Sequence, residues 1–159
     1  KLICLVVPIM ALLGASFYPW MHVITLRTEK FSCDFMDSQL TLQWIHSVER
    51  SLWRESYRID RNELLLFSSQ FKTFGAGTPS QGHLTVQSGF IESNPNLTFP
   101  QINWIISRNV ESTLITSRQE FPLYEYFEDY SEIVLSTQHK NIWTLLKDSC
   151  YDRFTGSRR

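Results

Sequence analysis

A strict two-residue alternation runs from Gln39 to Val48. Leu40, Leu42, Trp44, His46 and Val48 alternate with Gln39, Thr41, Gln43, Ile45 and Ser47. Successive side chains point to opposite faces in a strand, so this period describes a strand with one buried face. Trp53, Glu55, Tyr57 and Ile59 repeat the period. Asp60-Arg61-Asn62 then supplies a turn, and Glu63 to Phe71 follows as a third strand rich in Leu and Phe. Together the three predict an antiparallel meander.

Shorter strand patterns continue along the chain. They cover His83 to Ile91, Asn103 to Ser107, Val110 to Ser117, Leu123 to Phe127, Ile133 to Ser136 and Ile142 to Leu146. A helix over Pro122 to Tyr130 is the alternative where Leu, Tyr and Phe crowd together. Short strands at such spacing predict a mainly β fold, an antiparallel sandwich or barrel-like domain. The chain has 159 residues, with eleven Phe and five Trp, enough apolar bulk for a real core and too much for disorder. Its net charge is -1 and it carries no basic stripe, which excludes nucleic acid as the expected partner.

No charged residue occurs from Leu2 to Met21. A helix of that length spans roughly 30 Å, the thickness of a bilayer's hydrocarbon core. Tyr18 and Trp20 stand at its far end, where amphipathic rings favour the headgroup zone. The segment 1–26 is therefore expected to be a transmembrane helix or signal-anchor, and 27–159 an extracytoplasmic β domain. A cleaved signal peptide is the rival, since Gly14-Ala15-Ser16 offers small residues to a peptidase.

Cys33 and Cys150 bracket nearly the whole body. In an exported domain they are natural disulfide partners; two unpaired thiols are the alternative. Cys4 lies inside the apolar run. The chain has no C-x-x-C pair, so redox catalysis and zinc ribbons have no support, and neither a metal nor a cofactor is expected.

The sharpest polar cluster is His46, Glu49 and Glu55. His46 falls on the inward face with Leu42 and Trp44, and Glu55 points the same way if the strands pair. A His–carboxylate pair can hold a tautomer, bind a ligand or move a proton. The plainer reading is a satisfied core pair that sets strand register. His46 and Glu49 are three apart, so a regular strand sends them to opposite faces and weakens a metal site. Phe74-Gly75-Ala76-Gly77-Thr78-Pro79 is glycine-rich but lacks the lysine of a phosphate loop. Glu125, Glu128, Asp129 and Glu132 form an acidic patch around Tyr130, by default a solvated face. No elbow or triad spacing is present, so an enzyme is not expected.

The run Trp44-x-His46-Ser47-Val48-Glu49-x-x-x-Trp53-x-Glu55-x-Tyr57, followed by Phe74-Gly75-Ala76-Gly77-x-Pro79, resembles the bacterial domain-of-unknown-function family numbered 1850. The match in order and spacing covers roughly residues 38–80. Members of that family are often encoded beside tripartite (TRAP) transporters of the TAXI type. The resemblance therefore implies an accessory part in solute uptake. It implies a single-pass place in the bacterial inner membrane with the body in the periplasm. The expected partners are the membrane and the transporter's permease or its substrate-binding protein. The alternative is a stand-alone periplasmic ligand-binding module. The family carries no catalytic residues over to this chain.

Overall fold

A computed structural model describes residues 14, 16–74, 84–87 and 89–156. Of the segment 1–26 expected as a transmembrane helix or signal-anchor, residues 1–13, with Cys4, and residue 15 lie outside the described residues, as do the loop residues Gly75, Gly77 and Pro79 and the terminal arginines, while its end from Met21 is strand rather than helix. Among the described residues no helix is long and apolar enough to cross a membrane.

The fold is mainly β, in two antiparallel sheets. The smaller has β1 (Met21–Arg27), β2 (Ser32–Phe35), β9 (Gln101–Ile105) and β12 (Glu132–Lys140), in the order β2-β1-β12-β9. The larger is built on the expected meander of β3 (Gln39–Ile45), β4 (Leu52–Asp60) and β5 (Glu63–Phe71). Its ends are β10 (Thr113–Ile115) with β11 (Glu120–Pro122) on one side, and β7 (Phe90–Ser93) with β6 (Leu84–Gln87) on the other. The free edge of β5 is shared: β7 pairs at Ser69 to Phe71, and β8 (Leu97–Phe99) pairs at Leu64 to Leu66.

Pro100 marks a change of sheet. β8 ends on β5 of the larger sheet, and β9 begins on β12 of the smaller one. Proline has no N–H to give a ladder, so it suits a corner where pairing passes from one sheet to the other. Another irregularity lies on β5. Ser56 faces Ser68 while Tyr57 faces Leu66, so Phe67 is an extra residue and forms a β-bulge. The bulge breaks strict alternation, and Leu64, Leu65, Leu66, Ser68 and Ser69 are all buried.

Both sheets feed one core. Ile24 and Leu26 come from β1, Leu40 and Leu42 from β3, Leu64 and Leu66 from β5, and Ile133 and Leu135 from β12. Each such side chain contributes roughly 1.5–3 kcal/mol when fully buried. Phe35, Phe121 and Phe154 close one end. The last comes from α3 (Cys150–Gly156), which is joined to β2 by the Cys33–Cys150 disulfide with Cα atoms 4.9 Å apart. Beside it the Asp34 amide donates to Asp148 O at 2.7 Å.

Several local expectations are corrected. The stretch 83–91 is no single strand: β6 and β7 form a hairpin whose turn contains Gly89 at φ 79. Glycine takes that left-handed conformation without the Cβ clash. Of Val110 to Ser117 only the centre is strand, after a 3-10 turn over Arg108–Val110. Leu123–Tyr126 is a one-turn helix, α1, as the alternative had it. Ile142–Lys147 is also a helix, α2, rather than a strand. Asn141 caps it, its Oδ1 accepting the Thr144 amide at 2.9 Å. A five-residue apolar run is too short to reveal its period.

Candidate functional site

The quoted motif gathers at one end of the β3–β4 hairpin. Trp44 and Trp53 are directly opposite each other, and Leu42 opposes Glu55. β3 ends at Ile45, so His46 begins the connecting turn. The turn is closed by the His46 amide donating to Ser51 O at 2.8 Å and the Arg50 amide donating to His46 O at 2.9 Å. Arg50 holds φ 51, a left-handed conformation forced by the tightness of the turn.

Aromatic rings then stack away from this turn. His46 lies on Trp53 at 4.8 Å between centroids, and Trp53 on Phe71 at 5.2 Å. Phe71 meets Phe74 edge-on at 5.5 Å. On the other side Trp44 meets Trp104 of β9 at 4.9 Å. Trp104 Nε1 donates to the buried Ser112 hydroxyl at 2.9 Å. Such contacts favour offset and edge geometry because a ring's face is negative and its rim positive.

The polar side chains of the motif are each held by groups close by in the hairpin or on β5's exit. The Glu49 amide donates to His46 Nδ1 at 3.3 Å. Glu49 Oε2 accepts from the Thr73 hydroxyl at 3.0 Å. Glu55 Oε2 accepts from the Tyr57 hydroxyl at 2.5 Å. The expected His46–Glu55 pair is therefore replaced by two separate attachments. Glu55 sits opposite Leu42, four residues before His46, too far back along the hairpin for the two to meet. Burial is the main reason that the Glu55 carboxyl lies above its ordinary value, with the Tyr57 hydrogen bond opposing. Burial first, and then the Glu55 charge, push the Tyr57 phenol upward.

Two buried polar atoms here have no partner among the described residues: Trp53 Nε1 and Glu49 Oε1. Among the described residues of the motif no nucleophile stands beside a base and a set of oxyanion donors, the arrangement that acyl or phosphoryl transfer requires. Among the described residues no group of three or more His, Cys, Asp or Glu is placed to hold a metal ion. The arrangement provides a rigid aromatic platform whose acids and histidine are tied into the scaffold.

Two further features lie outside the motif; of these only the acidic patch has a signal in the sequence. Asp37 accepts from the Ser117 and Tyr151 hydroxyls, and the Tyr151 oxygen also lies 2.8 Å from Thr116 Oγ1. Burial pushes Asp37 up, but the hydrogen bonds from Ser117 and Tyr151 and the Arg118 charge outweigh it and leave the carboxyl below its ordinary value. Tyr151 is pushed up to about 12, by burial first and then by its bond to Asp37. Elsewhere, an open groove of about 530 Å³ runs between Phe31, Tyr126 and Phe127 and the acidic patch at Glu128 and Asp129. Asp129 is engaged there by the Arg108 amide at 2.6 Å and its guanidinium at 3.2 Å.

The family described as Domain of unknown function (DUF1850) matches residues 40–123. That span holds almost all of the larger sheet, with β9, and leaves β1, β2, β12, α2 and α3 outside it. Neither comparison, with curated proteins or with solved structures, finds a match.

Proposed function

The chain belongs to the domain-of-unknown-function family DUF1850, and we propose that it is a non-catalytic, membrane-anchored accessory subunit of a solute uptake transporter of the TRAP (TAXI) type. Its β body stands on the extracytoplasmic side. The observation that carries this reading is the Cys33–Cys150 bond between the start and end of the body. Such a bond persists in an oxidising compartment. The uncharged run Leu2 to Met21 leads straight into β1 and supplies the anchor. The transporter partner is supported by the resemblance of the Trp44-to-Pro79 motif alone. A non-catalytic role agrees with a motif whose His46, Glu49 and Glu55 are all held by neighbouring scaffold groups.

The test is co-purification. A tagged permease encoded with this chain should retain it in mild detergent, in a fixed ratio. A permease that purifies without it, while the chain is present in the same membranes, sinks the assignment.

The groove of about 530 Å³ favours a second reading, a stand-alone periplasmic ligand-binding module. Its size suits a small solute, and its walls mix aromatic rings with carboxylates. Here a panel of small cationic and neutral solutes should raise the melting temperature, and Phe127→Ala should abolish the rise. A flat response across the panel counts against it.

A further inference from the structure

We propose that α2 and the segment leading into β1 form a seat lying in the headgroup zone of a lipid bilayer. This rests on the membrane-anchored reading above and adds to it a second, lateral contact with lipid.

The six residues of α2 divide cleanly. Leu145 is buried, while Ile142, Trp143 and Leu146 face outward. Leu146 lies one turn on from both Ile142 and Trp143, so the three share one side of the helix. Trp143 is 51% exposed and Leu146 70%. Phe17, Tyr18 and Trp20 are exposed as well, the last by 62%.

The two sets are joined. Trp143 Nε1 donates to Ser16 Oγ at 3.1 Å, and Asn141 Nδ2 donates to Phe17 O at 3.3 Å. The Phe17 and Trp143 rings lie 6.1 Å apart. One patch therefore combines large apolar side chains from residues far apart in sequence. Exposed apolar surface of that kind marks a contact site rather than a water-facing one.

Continuity identifies the occupant. The patch includes the end of the uncharged run, whose residues from Leu2 onward are suited to hydrocarbon. Where such a run leaves the bilayer, neighbouring groups are held at headgroup depth. Trp and Tyr favour that depth because each has an apolar body and one hydrogen-bonding end. Lys147, exposed at the end of α2, can extend its ammonium toward lipid phosphates.

The full chain would be reconstituted in nanodiscs of phosphatidylcholine and phosphatidylglycerol carrying a nitroxide near the headgroup. Tryptophan emission would be read for the wild type, Trp143→Phe, Trp20→Phe and the double variant Ile142→Ser/Leu146→Ser. The exposed indoles of Trp20 and Trp143 should both be quenched, so Trp143→Phe should remove about half of the quenchable emission. The double variant should lower quenching of Trp143 while leaving Trp20 quenched. Melting temperature checks that each variant is folded, and all four positions are exposed. If Trp20 is quenched and Trp143 is not, the anchor stands and the lipid seat is refuted, leaving α2 for a protein partner. If neither is quenched and the chain does not float with lipid, the anchored reading fails as well.

Discussion

The Tyr57 hydroxyl donates to Glu55 Oε2 at 2.5 Å, between two residues on the same inward face of β4. The bond keeps a carboxylate in a place where burial favours its protonated form. A carboxyl whose folded-state value is raised stabilises the fold most at low pH. That contribution declines as pH climbs past the ordinary value of 4.5. Glu55→Gln keeps an acceptor for Tyr57 and removes the charge. It should melt higher than the wild type at pH 7, with the gap closing at pH 4. Tyr57→Phe strips the donor from a buried charge and should cost roughly 1–3 kcal/mol at pH 7 by urea unfolding.

His46 is expected to act through its ring contact with Trp53. Trp53→Ala removes the centre of the aromatic stack and should cost about 3–5 kcal/mol. His46→Ala should cost about 1 kcal/mol, because it loses one stacked face and one backbone hydrogen bond. Denaturation midpoints measure both. An unchanged midpoint in His46→Ala would show that the ring is no part of the packed cluster.

The disulfide links residues 117 apart. Closing a loop of that length restricts the unfolded chain, which the loop-entropy account values at roughly 4–5 kcal/mol. Reduction should lower the melting temperature markedly. It should also expose amides of α3 to hydrogen exchange before those of β3 to β5, since α3 is held beside β2 by that bond and by Phe154. Simultaneous loss of protection in α3 and the meander would contradict this order.

His22 and His139 are cross-strand partners stacked at 4.3 Å. Burial first, and the His139 charge second, hold His22 below its ordinary value of 6.5. The fold thus prefers neutral His22. Its stabilising share is complete above 6.5 and is lost as pH falls through the lower folded value. His22→Gln should flatten the decline of melting temperature between about pH 6.5 and pH 5. An equal decline in wild type and variant would assign the pH dependence to other groups.

The meander was legible because β3 and β4 alternate, because β5 is a dense run of Leu and Phe, and because Asp60-Arg61-Asn62 breaks the pattern at the right place. The structure keeps that turn, with Arg61 at φ 55. The disulfide was legible because the body holds only two cysteines. The β6–β7 hairpin was hidden inside one apparently continuous strand, although Gly89 marked its turn. α2 was hidden because Ile142 to Leu146 is too short to separate a helical period from a strand.

Alternation alone pointed to a mainly antiparallel β chain and to the residues of β3 and β4 that turn inward, whereas on β5 the bulge at Phe67 overrode it. Periodicity is a local property, carried by neighbours along the chain. Strand order, register and the change of sheet at Pro100 are not local, and they decided the rest. They set Trp104 against Trp44 and Asp37 against Tyr151. They gave Glu55 to Tyr57 instead of His46, because pairing register puts Leu42 opposite Glu55. They also carried Trp143 to Ser16, where an apolar patch arises from two segments that show no relation in sequence.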